Sequence, residues 1–357
     1  IQPESPYASW FRFDTTLADP EKQVKGWVGV TDLPELDKTS PSFRDFAYRA
    51  PDSVMKRWLD RGAAGWRMDV VPWVSDDFWR EWRTEIKHHR PDALTIAETW
   101  FDSSKYLLGD TFDSVMNYIF RNTVLAYAGG GDAARLYPNI EFMREAYPPQ
   151  AFHALMNLLS THDQPRSLHV LGWPDDATHR AADADAATVA RAKQRLRLAV
   201  LFQMGFPGAP AIYYGDEVGM TGGEDPYNRG PFPWADEGGE PDLAMQAWFQ
   251  RLTVMRRDNP VLRRGSLGAP LFIDAQVIVL PRHLDAAATG TGDIAADTWA
   301  ITATNNGDAA RSLRVPLPAA AAGRRFVDAL SGQTAAVDDG QLLLNLPALG
   351  GVVLISR

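Results

Sequence analysis

"GWRMDVVPWV", Gly65 to Val74, sets an Arg and an Asp two apart, Arg67 and Asp69, within an apolar run that continues through Met68, Val70 and Val71. Before it, "RGAA" reads as a helix end and a turn. After it, "SDDFWREW" reads as a helix start, with Ser75 as N-cap and Asp76 and Asp77 in the first turn. A strand that carries a charge pair near its end is the feature to explain. Either the pair staples the strand end, or the Arg holds a reactive carboxylate in its charged form.

Working outward, strand-like and helical runs alternate from about residue 50 to residue 258. The strand-like runs are Gly65–Val71, Ala93–Ala97, Ser114–Phe120, Ala154–Ser160 and Ala209–Tyr214. Helical spacing runs from Met55 to Arg61, places Phe78, Trp79, Trp82 and Ile86 on one face, and returns at Thr188–Met204 and Leu243–Arg257. Five strand–helix units in succession imply a parallel sheet. Near residue 265 the pattern changes to short strands separated by Gly, Asp and Pro, among them Gln276–Leu280, Trp299–Thr304, Ser312–Val315 and Gly351–Ile355. Residues 265–357 therefore read as an antiparallel β domain, with "LDAAATGTGDIAAD", Leu284 to Asp297, as a flexible loop.

Composition narrows the function. The 357 residues suffice for one large domain and a small one, and a formal charge of -9 argues against an electrostatic grip on nucleic acid. No run of about 20 apolar residues offers a membrane span. The absence of Cys removes disulfides, thiolate nucleophiles and Cys-based metal sites. It suits either side of a bacterial-type membrane, and the cytoplasm is the favoured reading. Twelve Trp are many, and flat aromatic faces suit sugars as well as cores.

Acids recur at the C-terminal ends of the strand-like runs. Asp69 ends "GWRMD", Glu98 ends "ALTIAE", His162 and Asp163 follow "ALMNLLST", and Asp216 and Glu217 follow "AIYYG". In a parallel barrel such ends share one face. Several carboxylates without a thiol, phosphate loop or metal cluster suit glycoside hydrolysis: one attacks the anomeric carbon, and a second protonates the departing oxygen about 5 Å away in the retaining case.

"GWRMDVV", "TIAETW" and "LLSTHDQPR", in that order, resemble three short regions of the α-amylase family, glycoside hydrolase family 13. The resemblance implies a (β/α)8 barrel, of which strands four to eight lie in this chain, followed by an antiparallel β-sandwich. It implies Asp69 as nucleophile, Glu98 as general acid/base, Asp163 as the third acid gripping sugar hydroxyls, Arg67 as the cation beside Asp69, and His162 as a hydrogen-bonder to the same sugar. "LPEL", Leu33 to Leu36, "GDTFDSVMNYIF", Gly109 to Phe120, and "GMTGGEDPYNRGPFPW", Gly219 to Trp234, resemble the neopullulanase, cyclomaltodextrinase and maltogenic amylase group. That group adds Asp225 and Arg229 on the non-reducing side of the substrate, Trp100 stacking on the leaving-side sugar, and Trp27 as a further platform. Arg166 is expected to brace the loop after Asp163.

The chain departs from that group in two places. Val71, Pro72, Trp73 and Val74 stand where the group carries "ANEV", so Trp73 is expected to reshape the leaving-side subsites, and Glu35 replaces the Lys of "MPKL". The family's first conserved region is not found. Residues 1–45 are then the end of the loop domain after the third barrel strand, 46–264 the C-terminal part of the barrel, and an N-terminal polypeptide completes it. The expected activity is cleavage of α-1,4 bonds, with α-1,6 bonds as a further target, in cyclodextrins, pullulan, starch or maltooligosaccharides. A glucanotransferase, an α-glucosidase or a non-catalytic sugar-binding protein are the alternatives. No cofactor is required; calcium is common in the family, with ligands expected mostly outside this chain, and a homodimer is a further implication.

Overall fold

The computed structural model describes residues 4–19, 23–176, 185–285 and 297–357. The chain divides into two compact units, Ile1–Thr99 with Ser103–Val115, and Trp100–Asp102 with Met116–Arg357.

The first unit opens with an antiparallel hairpin, β1 (Gly26–Trp27) and β2 (Val30–Pro34), whose turn residues Val28 and Gly29 both have positive φ. Helices α1 (Pro41–Arg44) and α2 (Val54–Asp60) follow. Strand β3 (Gly65–Met68), helix α3 (Asp76–His89) and strands β4 (Leu94–Ala97) and β5 (Ser114–Val115) complete it. The three strands are parallel, in the order β3-β4-β5. Gly65 is required where β3 meets β4: a Cβ there would lie 2.0 Å from the Leu94 carbonyl oxygen. Phe78, Trp79, Trp82 and Ile86 of α3 are all buried, as their spacing predicts. β4 is followed by a single 3-10 turn at Ser104–Tyr106 and then by β5, so it lacks the α-helix that five complete strand–helix units would need.

In the second unit, helices α4 (Tyr118–Ala128), α5 (Ala133–Ala146) and α6 (Pro149–Phe152) precede strand β6 (Met156–Leu158). Helices α7 (Ser167–Gly172) and α8 (Ala186–Gly205) then lead to β7 (Ala209–Ala211), parallel to β6. α9 (Leu243–Asp258) and α10 (Pro260–Arg264) end the helical part. The expected strand Ser114–Phe120 is corrected: only Ser114 and Val115 are extended, and the Asn117 side chain accepts from the Phe120 amide to start α4. A short apolar run does not distinguish a buried strand from a buried helix. Pro138 lies inside α5 and hides that helix from sequence, but the Asp132 carboxylate caps its first turn.

The antiparallel part holds β8 (Ser266–Leu267), β9 (Phe272–Ile273), β10 (Val277–Leu284), β11 (Thr298–Asn305), β12 (Arg311–Pro316), β13 (Phe326–Asp328), β14 (Thr334–Ala335), β15 (Val337–Asp338), β16 (Gln341–Leu346) and β17 (Gly350–Ser356). One sheet runs β14-β13-β17-β11-β10-β8 with β9 on β10, and the other runs β12-β16-β15. Val277, Val279, Ile301 and Ala303 of the first sheet and Val315, Leu342, Leu344 and Leu346 of the second share one buried core, which makes a sandwich. Of the loop expected at Leu284–Asp297, residues 286–296 lie outside the described residues.

Two buried arginines gather the backbone around the end of α8, and one of them ties the helical part to these sheets. Arg282 of β10 donates to the carbonyls of Gly205, Leu262 and Gly265, and Arg256 of α9 donates to those of Met204, Phe206 and Gly208. Both sit where α8 ends and its last carbonyls lack helical partners. Burial pulls Arg282 down to about 9 and Arg256 to about 10, so both stay charged at neutral pH.

Candidate active site

In the first unit, β3 stops at Met68, which places Asp69 just past the strand end. Val70 then adopts φ 45, left-handed and strained for a β-branched residue. That geometry turns the Val70 amide onto Glu98, donating to Oε2 at 2.9 Å. The Arg67 guanidinium lies 2.5 Å from Asp69 Oδ1 through Nη1 and 2.7 Å from Glu98 Oε1 through Nη2. One cation thus serves two carboxyls, where the sequence suggested only one. The two acids differ sharply in setting: the Asp69 side chain is 69% exposed and that of Glu98 only 2%. Burial raises the Glu98 pKa, the Val70 amide and Arg67 oppose it, and a hydrogen bond with Asp69 raises it further. A buried acid with a raised pKa beside an exposed carboxyl is the division of labour that acid catalysis with a nucleophile requires.

The turn after Asp69 carries Trp73, held by Trp79 Nε1 donating to the Val71 carbonyl at 3.0 Å. Trp73, 54% exposed, packs on half-buried Trp27 with ring centroids 5.1 Å apart.

In the second unit, a tight turn after β6 presents His162 and Asp163, both exposed, with Thr161 and Gln164 bridged across it. His162 Nε2 lies 3.2 Å from Asp163 Oδ2. Arg229 Nη2 lies 3.2 Å from Asp225 and 3.5 Å from Asp163, and its Nε donates to the His162 carbonyl. Asp225, Arg229, His162 and Asp163 therefore form one cluster. Trp100 is 37% exposed.

Arg166 is fully buried and donates to the Tyr214 carbonyl, 4.6 and 4.7 Å from the Tyr213 and Tyr214 ring centroids. It braces the Tyr213–Asp216 segment and offers nothing to a sugar. Buried Asp216, 3.5 Å from Arg166, has its pKa pushed up to about 6 by burial. Sequence reading missed Asn228, whose side chain is fully buried beneath the His162–Asp163 turn. Its only signal was its place between Asp225 and Arg229.

Among the described residues no group of three or more His, Asp or Glu side chains could hold a metal ion. These residues do not fit a calcium site. No helix among the described residues is long and apolar enough to cross a membrane.

The family model for the α-amylase catalytic domain matches residues 26–264. The chain belongs to the α-amylase family. Its fold is of the (β/α)8 barrel type, with five parallel strands among the described residues, followed by an antiparallel β domain. The chain is 36% identical over 381 residues to an amylopullulanase of Thermoanaerobacter thermohydrosulfuricus, covering 99% of this chain and 25% of the relative. It is 31% identical over 358 residues to neopullulanase 2 of Thermoactinomyces vulgaris, covering 98% of this chain and 55% of that one. A solved cyclomaltodextrinase superposes with a TM-score of 0.81 at 28% identity, covering 99% of this chain and 56% of the other. The chain thus spans a quarter to about half the length of these curated relatives.

Proposed function

We propose that the protein is a retaining glycoside hydrolase of α-1,4-linked glucans, with α-1,6 bonds as a second target. The observation that carries this reading is the Arg67 bridge between exposed Asp69 and buried Glu98. Asp69, paired with the guanidinium, attacks the anomeric carbon from the open side. Glu98, its pKa raised by burial, gives its proton to the departing glycosidic oxygen. The first step leaves a glycosyl ester on Asp69 and a carboxylate on Glu98. That carboxylate then takes a proton from water, which attacks the ester and restores the α anomer. His162 and Asp163 grip the hydroxyls of the reacting sugar, Asp225 and Arg229 hold the non-reducing side, and Trp100 and Trp27 give flat faces to leaving-side sugars.

The substrates fit those in the relatives' names, which concern pullulan and cyclomaltodextrins. We also propose the domain limits 1–45, 46–264 and 265–357, and an N-terminal polypeptide that completes the barrel. In support of the latter, β3 is an edge strand with half-buried Trp66 and Met68. They help line an apolar groove of about 270 Å3 with Phe43, Phe46, Met55 and Phe78. The test is hydrolysis of cyclodextrin, pullulan and starch by the intact protein, with the product anomer followed by NMR. The expected result is α product appearing first. β product or no hydrolysis would overturn the reading, and longer products in the presence of an acceptor would move it to a glucanotransferase.

A further inference from the structure

We propose that Asn228 is a positioning residue for Asp163, setting the turn that aims the third acid at the sugar; this rests on the hydrolase reading above. The Asn228 amide nitrogen donates to the carbonyls of His162 at 2.8 Å and Gln164 at 2.9 Å, with that of Thr161 at 3.4 Å. Three carbonyls of one turn thus converge on a single NH2 group, and only a donor can sit there. The residue is fully buried, and its own Oδ1 has no hydrogen-bond partner among the described residues, so the nitrogen alone fixes its orientation.

The rest of the turn depends on the same anchor. With its carbonyls drawn inward, the turn leaves the His162 and Asp163 side chains facing out, and the Asp163 amide closes it by donating to Thr161 Oγ1 at 3.0 Å. Asn228 itself cannot drift. Its carbonyl accepts from the Tyr213 hydroxyl at 3.4 Å, and the Gly222 backbone is pressed so close that a Cβ there would lie 2.2 Å from the Tyr227 carbonyl oxygen. The Gly222 carbonyl in turn accepts from the Arg166 amide, which closes the frame. Asn228 also precedes Arg229 in the chain, so the residue that sets the turn also places the arginine beside Asp163.

The test uses variants of the intact enzyme. Asn228→Asp keeps the shape and replaces the donor with an acceptor facing three carbonyls. The expected result is a fall in kcat of ~100-fold, the size associated with a misplaced catalytic group, with KM changed by no more than about threefold. Affinity for a half-chair-shaped inhibitor falls by the same factor, while affinity for maltose holds. At mildly acidic pH the introduced carboxyl takes a proton and donates one hydrogen bond, so Asn228→Asp regains kcat relative to wild type. Asn228→Ser keeps one donor, covers the case in which the Asp variant fails to fold, and falls between wild type and Asn228→Ala. Folded variants whose kcat and inhibitor affinity stay at the wild-type level would overturn the proposal. So would losses that fall equally on KM and maltose affinity. A wild-type enzyme that does not hydrolyse α-glucans would instead refute the hydrolase reading.

Discussion

The Arg67–Asp69–Glu98 group and the His162–Asp163 turn solve the same problem by different means. The first is set by strands: β3 and β4 run in register, so Arg67 and Glu98 come from neighbouring strand ends, and a guanidinium supplies the remaining order. The second sits on a loop, and its order comes from Asn228 and Arg229, more than 60 residues further along the chain. A strand-built site tolerates little change in charge. A loop-built site tolerates little change in its hydrogen-bond donors.

The largest expected effect lies in the first group. Asp69→Asn and Glu98→Gln should each lower kcat by ~10⁴-fold or more while leaving sugar binding measurable by calorimetry. Next comes Arg67→Lys, which keeps a charge but not the fork that reaches both acids. It should cost ~10²-fold in kcat and, because Arg67 opposes the upward shift of the Glu98 pKa, move the alkaline limb of the pH–rate profile to higher pH. If Arg67→Lys were silent, the shared guanidinium would be a strand staple and the contrast with the loop-built site would collapse.

Away from both sites, Arg282→Ala leaves three carbonyls at the ends of α8 and α10 without their donor, and should cost about 3 kcal/mol in urea unfolding with kcat unchanged. A smaller effect is expected of Trp73→Ala: a rise of about 2- to 10-fold in KM for long or cyclic glucans and none for maltotriose, measured from initial rates. The smallest concerns Asp216. Its folded pKa of about 6 exceeds the ordinary 3.8, so the folded state binds a proton that the unfolded chain has released. Its contribution is full below 3.8 and is lost as the pH rises through about 6, and Asp216→Asn should flatten the melting temperature across that window.

Legibility in the sequence follows the same division. The acids at strand ends could be read because strand periodicity and the Arg–Asp spacing are local, and β10, β11, β12 and β17 were each anticipated to within a few residues. What escaped was non-local. Arg67 serving Glu98 as well as Asp69 needs the β3–β4 register, and Asn228 under the His162–Asp163 turn needs the path of a loop from Gly219 onward. The helix at Tyr118 escaped for a third reason: its N-cap Asn117 sits inside an apolar run that reads equally well as a strand.

The most direct test of the central claim is to trap the intermediate. The intact Glu98→Gln enzyme would be incubated with a slow fluoro-sugar substrate and digested, and the labelled peptide identified by mass spectrometry. The account predicts one sugar on the peptide that contains Asp69, and none when Asp69→Asn is added. A label on another carboxylate, or steady turnover to the β anomer with no adduct, would contradict it.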